Sequence, residues 1–416
     1  MAGLGARGEN GRSSLPIIGS TADAAQAKKD LERKFRPDIY WYLSFRCNLA
    51  CKHCSVFSSP FVDTSDDLTT ADCIEVVDQM KELNVRCAIL SGGEVLFRPD
   101  ALEILEALLD REISIGLETN GLLFTDKIIE FAQRAGKKGL FNTCISIDGG
   151  TAETHDQVRG PNTFGKIIAN LNRLKDAGVE FDVQCVLNRN NLPTVPNLIE
   201  EARKLRPALQ KVQFGFLNPV GRGTEYIKEV GLQKGDMSRI LKLIKGEQPD
   251  FDGTIVVKAP PGVIPPQYLS LVYGQENVLG CRTCQFPLLG VLPNGDITIC
   301  ALSRDNDSIY YGNTKKERLK DIWIKTRMDY LRSTYVAADT LTGICGDCIW
   351  QKTCKGSCRA WAYEQGGSFD APFPLCARLD EEGEFPDAYR LSKQQQALDG
   401  ISTTGLLAAG GCTGCG

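Results

Sequence analysis

The 416-residue chain has no uninterrupted apolar stretch approaching the length of a membrane helix, and residues 1–10 lack the apolar core of a secretion signal. A membrane partner is therefore not expected, and the reading is a cytoplasmic protein. An excess of either charge is also missing: 48 Lys plus Arg against 52 Asp plus Glu leave a formal net charge of −4. That balance supplies no phosphate-neutralising field, which disfavours a nucleic-acid partner. No tandem repeat of fixed period runs through the chain. Nor is the composition biased, since 42% hydrophobic, 8% aromatic and 24% charged residues resemble an ordinary soluble protein rather than a disordered or collagenous one.

Cysteine is the exception, with 17 residues. In a reducing compartment, clustered thiols more often bind metal or do redox chemistry than form disulfides. Apolar, β-prone runs at 39–45, 86–90, 113–118, 141–147, 181–187 and 211–217 alternate with helical periodicity at 69–83, 100–110, 126–135, 164–177 and 195–205. This α/β pattern is that of a parallel α/β sheet or a partial, TIM-like (β/α)6 barrel with its site at the carboxyl ends of the strands, followed by a C-terminal cysteine-rich domain held by metal ligation rather than by a large apolar core. The expected organisation is a flexible arm over 1–35, a core over 36–235, a bridge over 236–279, a cysteine-rich domain over 280–378 and a tail over 379–416.

Cys47, Cys51 and Cys54 form C-x3-C-x2-C in the loop after the first strand. Three thiolates on a four-iron cluster leave one iron open to a ligand that is not protein, whereas structural zinc closes four protein ligands. Zinc or three structural cysteines remain the alternatives on spacing alone. Read in isolation, Ser91-Gly92-Gly93-Glu94, Glu118-Thr119-Asn120-Gly121 and Ser146-Ile147-Asp148-Gly149 are turn-forming strings at strand ends.

Together with R-C-N-L-A-C-K-H-C over 46–54, these strings resemble the radical S-adenosylmethionine enzymes. The resemblance implies a 4Fe-4S cluster on Cys47, Cys51 and Cys54 whose open iron chelates S-adenosylmethionine. An electron from that cluster then cleaves the cofactor to a 5′-deoxyadenosyl radical. Ser91, Gly92, Gly93 and Glu94 would hold the methionine amino group, and Glu118, Asn120, Ser146 and Asp148 the ribose and adenine. Arg159 would pair with the methionine carboxylate, and Leu187 would flank the adenine. His53, between two ligands, is read as packing beside the cluster.

Downstream, Cys284, Cys300, Cys345, Cys348, Cys354, Cys358 and Cys376 read on spacing as zinc or iron–sulfur ligands. Their order resembles the SPASM domain, which binds two further 4Fe-4S clusters, for three in all. By that resemblance Cys284, Cys300 and Cys358 hold the first auxiliary cluster, with Cys281 as fourth ligand, and Cys345, Cys348, Cys354 and Cys376 hold the second. If Cys281 swings away, the first auxiliary cluster has an open iron for substrate.

Cys73, Cys87, Cys144 and Cys185 are read as buried apolar residues, one of which would serve as hydrogen donor if a carbon radical must be quenched. Cys412 and Cys415 are read as a disordered end, an electron or cluster relay, or a mimic of a cysteine-containing substrate. The resemblance implies a maturase that oxidatively modifies a ribosomally made peptide or protein, forming a thioether or carbon–carbon crosslink, with a reductant such as flavodoxin or ferredoxin. Formylglycine formation ranks lower, because Ala301 stands where sulfatase maturases have an acid. The arm is too short for a leader-binding domain, so a separate leader-binding protein or a small substrate is expected. The alternatives are a tetrapyrrole-modifying enzyme, whose relatives share the cluster loop but carry fewer auxiliary cysteines, and a non-enzymatic metal-binding scaffold.

Overall fold

A computed structural model describes residues 37–233, 235–273, 288–301, 310–333 and 340–393. The arm, Cys281, Cys284, Cys412 and Cys415 lie outside the described residues. Six strands, β1 (Asp38–Ser44), β2 (Cys87–Gly92), β3 (Ser114–Thr119), β4 (Phe141–Ser146), β5 (Phe181–Leu187) and β6 (Leu209–Phe216), are mutually parallel and pair in chain order. The helices Thr70–Glu82, Ala101–Asp110, Asp126–Lys137, Phe164–Asp176 and Val195–Lys204 connect them, close to the expected bounds. Local chemistry sets the helix starts: Thr69 forms a capping box with Asp72, and Thr125 accepts the amide of Ile128.

The sheet does not stop at six strands. β7 (Thr254–Val257), from the segment expected as a bridge, pairs parallel with β6. β8 (Leu288–Val291), from the cysteine-rich segment, pairs parallel with β1 and leads into antiparallel β9 (Asp296–Thr298) and β10 (Gly312–Asn313). The order is β10-β9-β8-β1-β2-β3-β4-β5-β6-β7. An open six-stranded sheet would leave unpaired backbone at both edges, and these short strands satisfy it. Their brevity hides them from period counting.

Alternation along the strands separates two faces. Ile39, Trp41, Leu43, Ile145, Val183, Cys185, Leu187, Val212 and Phe214 share one core with helix residues such as Met80, Leu105, Phe131 and Ile199. Tyr40, Ser91, Glu118, Cys144, Ser146, Gln184 and Gln213 occupy the alternate positions, on the face away from the helices.

Candidate active site

The loop after β1 is held by its neighbours rather than by secondary structure of its own. The Cys47 amide donates to the Ser59 carbonyl at 3.1 Å and the Lys52 amide to the Val158 carbonyl at 2.9 Å. Arg222, in the turn after β6, donates from its backbone amide to the Cys54 carbonyl (2.9 Å), from Nε to the Cys51 carbonyl (2.8 Å) and from Nη2 to the Ser58 carbonyl (2.7 Å). Asn120 Nδ2, at the end of β3, donates to Asn48 Oδ1 at 2.7 Å. Gly93 lets the end of β2 pass against this loop, since a Cβ there would collide with the Arg46 carbonyl oxygen.

Within the loop, burial pushes the Cys47 thiol up to about 12 and raises Cys51 as well. The amides of Leu49 and Ser58 donate to Cys47 Sγ and Cys54 Sγ, each at 3.3 Å. Thiols so reluctant to ionise become ligands only when a cation stabilises the thiolate, and amides aimed at sulfur fit that state. Among the described residues, no three His, Cys, Asp or Glu side chains converge on one point as a single ion requires. The thiolates of a cubane bind separate irons, so a 4Fe-4S cluster does not need that convergence.

Beside the loop, Glu94 is fully enclosed. Its Oε1 accepts from Thr119 Oγ1 (2.8 Å) and the Leu96 amide (3.1 Å), and its Oε2 accepts from the Asn120 amide (2.7 Å). Burial raises its pKa against those three donors. A carboxylate has about four acceptor positions, so one remains for an ammonium. Ser91 and Glu118 meet across the sheet: Ser91 Oγ donates to Glu118 Oε2 at 2.8 Å, and the hydroxyl of Tyr40 donates to the same oxygen. Tyr40 carried no motif signal; only its register on β1 brings it there.

Asp148 is 0% exposed and serves its own chain. Its Oδ2 receives Arg159 Nε at 2.6 Å and His53 Nε2 at 2.9 Å, and its Oδ1 receives the Val186 amide at 2.7 Å. Burial works against the charge, but Arg159, His53 and that amide outweigh it and hold the carboxyl well below the usual range. His53, read from sequence as packing, is thus tied to β4. Arg159 spends Nε on Asp148, and its Nη groups make no hydrogen bond among the described residues, which leaves the fork free for an anion.

Asn120 is likewise engaged, bridging to Asn48 and Glu94, while the Ser146 hydroxyl has no protein partner among the described residues. Leu187 is fully buried in the helix-side core, so any contact it makes with an adenine runs through its backbone. Cys73, Cys87 and Cys185 are fully buried, whereas Cys144 is half-buried on the face away from the helices.

A second thiol group lies farther along the chain. Cys345, Cys348, Cys354 and Cys376 are buried, and burial raises the pKa of each; neighbouring thiols of the group raise Cys348, Cys354 and Cys376 further, and Cys348 and Cys354 are each pushed up to about 12. The amides of Phe373 and Trp350 donate to Cys345 Sγ (3.3 Å) and Cys348 Sγ (3.4 Å). Arg359, which no motif marks, is 0% exposed among them. It donates to the carbonyls of Phe369 (2.9 Å), Ala371 (2.7 Å) and Gly356, and pairs with no carboxylate among the described residues. A buried cation without an acid partner calls for anionic charge, which thiolates on a cluster would supply. Cys300 and Cys358 are also buried.

The Radical SAM superfamily profile matches residues 41–204, and the SPASM iron-sulfur cluster-binding domain profile matches residues 281–349. The AdoMet-dependent heme synthase of Methanosarcina barkeri is 30% identical over 81% of this chain and 95% of its own length. The mycofactocin maturase MftC of Mycobacterium tuberculosis is 26% identical over 83% of each. Streptococcus suis SuiB, solved with S-adenosylmethionine, shares the fold with a TM-score of 0.65 at 16% identity, over 88% of this chain and 84% of that one. Among the described residues no helix is long and apolar enough to cross a membrane. Identity at that level over most of both chains, with both domains matched in order, establishes that the chain belongs to the radical SAM superfamily, as an enzyme with a C-terminal SPASM domain that works with 4Fe-4S clusters and S-adenosylmethionine.

Proposed function

We propose that the protein is a radical SAM/SPASM maturase that oxidatively modifies a ribosomally made peptide or protein, forming a thioether or carbon–carbon crosslink. The observation that carries the reading is the second buried thiol group around Arg359, in the same compact unit as the three-cysteine loop. An oxidation needs somewhere to send the product's electron, and a second redox centre provides it. When bound, the first cluster and S-adenosylmethionine supply reductive C–S cleavage and a carbon radical that takes a hydrogen atom.

The protein's residues position these groups. Cys47, Cys51 and Cys54 hold the first cluster, Glu94 receives the methionine ammonium, and the free Arg159 fork receives the carboxylate. Asp148 sets both Arg159 and His53. Ser146 and Glu118, on the face away from the helices, suit ribose hydroxyls, with Ser91, Gly92, Gly93 and Asn120 shaping the wall. Cys345, Cys348, Cys354 and Cys376 hold one auxiliary cluster; Cys300 and Cys358, with Cys281 and Cys284, belong to the other, within a domain over 280–378. A one-electron donor of the flavodoxin or ferredoxin type and a separate leader-binding protein are the partners this reading implies, in the cytoplasm.

Peptide substrates are supported by the mycofactocin maturase relatives and by the PqqA peptide cyclase of Rhizobium meliloti, 24% identical over 81% of this chain. A second reading, action on a tetrapyrrole, is favoured by the heme synthase similarity, which spans nearly all of that relative. The test is anaerobic incubation of reconstituted protein with S-adenosylmethionine, reductant and either peptides encoded beside the gene or a porphyrin-type precursor. A two-hydrogen mass loss in a peptide supports the maturase; loss of a carboxyl group from the porphyrin alone replaces it with the second reading.

A further inference from the structure

The face of the sheet away from the helices carries Glu118, Cys144, Asp182 and Lys211 in one register row, and Ser146, Gln184 and Gln213 in the next. The acids in this face already have partners. Glu118 accepts from Tyr40 and Ser91, while Asp182 accepts from Gln213 Nε2 at 3.1 Å and lies opposite Lys211 in register. Lys258 is different. Its backbone amide extends the β6–β7 ladder to the Phe214 carbonyl at 2.7 Å, which puts it at the carboxyl end of β7. From there its Nζ reaches past β6 to donate to Gln184 Oε1 on β5 at 3.0 Å.

An ammonium carries three donors, and among the described residues Lys258 uses one of them on a neutral amide and forms no ion pair. Gln184 has its carbonyl oxygen taken by Lys258, and its NH2 has no partner among the described residues. The Asp182 carboxylate and the Cys144 thiol lie within electrostatic range of the Lys258 ammonium, but neither accepts a hydrogen bond from it; a half-buried ammonium with two donors unspent, beside an unpartnered amide, suits an anion with two acceptor oxygens. The register neighbour of Gln184 on β4 is Ser146, whose hydroxyl is also without a protein partner among the described residues.

We propose that Lys258 and Gln184 bind a carboxylate of the substrate, next to Ser146 at the carboxyl end of the sheet. The inference rests on the proposed reading of this face as the substrate side of a radical SAM enzyme, and it narrows the substrate to an acid. A peptide C-terminus or acidic side chain and the acid side chain of a tetrapyrrole offer the same chemistry.

The test is isothermal titration of anaerobically reconstituted full-length protein with two pairs of probes. One pair is a peptide encoded beside the gene, as the free acid and as its methyl ester; the other is coproporphyrin and its tetramethyl ester. At least one acid should bind about tenfold or more tightly than its ester, the scale of one charge-assisted contact. Lys258→Met should erase that preference while leaving ester affinity, iron content and S-adenosylmethionine binding unchanged, and Lys258→Arg should keep most of it. Equal binding of acid and ester by the wild type, no binding of either acid, or an unaltered preference in Lys258→Met would overturn the proposal. If only the porphyrin acid shows the preference, the carboxylate site stands and the peptide reading falls. If peptide modification proceeds without any acid preference, the maturase stands and the carboxylate site falls.

Discussion

Replacing Arg359 with Gln should make the auxiliary cluster proposed for Cys345, Cys348, Cys354 and Cys376 harder to reduce. The guanidinium is 0% exposed and unpaired by any carboxylate among the described residues, so its charge acts on the thiol group in a poorly screened setting. It favours the thiolate forms of Cys345, Cys354 and Cys376 against burial. A unit charge at 4 Å is worth about 4 kcal/mol at an effective dielectric constant near 20, hence about 2 kcal/mol at about twice that separation. With about 59 mV per tenfold change for one electron, the potential should fall by about 80 mV. Gln would also leave the carbonyls of Gly356, Phe369 and Ala371 short of donors, at about 1–3 kcal/mol each for the two buried ones at Gly356 and Ala371, so thermal stability should drop too. Arg359→Lys keeps the charge and should hold most of the potential while losing part of the hydrogen bonding, which separates the electrostatic effect from the structural one. The assay is a redox titration followed by electron paramagnetic resonance, on preparations matched for iron content. A fully loaded Arg359→Gln cluster titrating at the wild-type potential would refute the assignment of Arg359 as the cluster's charge partner.

Alanine at Cys47, Cys51 and Cys54 together should abolish 5′-deoxyadenosine formation under dithionite while most auxiliary iron is retained; undiminished cleavage would remove the loop from the chemistry. Asp148→Asn leaves Arg159 and His53 without their anion and should cost about 3–5 kcal/mol, read from the shift in chemical denaturation midpoint, with weakened S-adenosylmethionine binding. Because its folded pKa is depressed, the Asp148 contribution is present above its unfolded pKa, about 4, and lost as pH falls further toward the folded value. His155 is 0% exposed, and its Nδ1 accepts the Asp148 amide at 3.1 Å; burial first, then Arg159, pushes its pKa down to about 4. The unfolded chain therefore binds its proton more readily, and up to about 3 kcal/mol of stability should be lost as pH falls from about 6.5 to about 4. His155→Gln should flatten that part of the stability-versus-pH curve, and an unchanged slope would count against it.

The cluster loop, the strand-end motifs and the alternation of six strands with helices were legible in the sequence, because each is written in local spacing: a three-thiol loop, a two-residue strand period, a capping threonine. Even the anomaly of the second cysteine set could be read there, through the order of its spacings. What lay out of reach were contacts between residues far apart in the chain. Asp148 gathers His53 and Arg159, Arg222 grips the backbone of Cys51 and Cys54, and Tyr40 meets Glu118 across two strand pairings. Lys258 faces Gln184 only because β7 joins the sheet, and that strand is too short for its period to announce it. Arg359 reads as an ordinary arginine after a cysteine until burial removes every alternative counter-charge among the described residues. Local pattern specifies which face of an element is apolar, but which polar side chains then meet is set by register and crossover, and burial in turn decides whether a meeting of charges is worth a fraction of a kilocalorie or several.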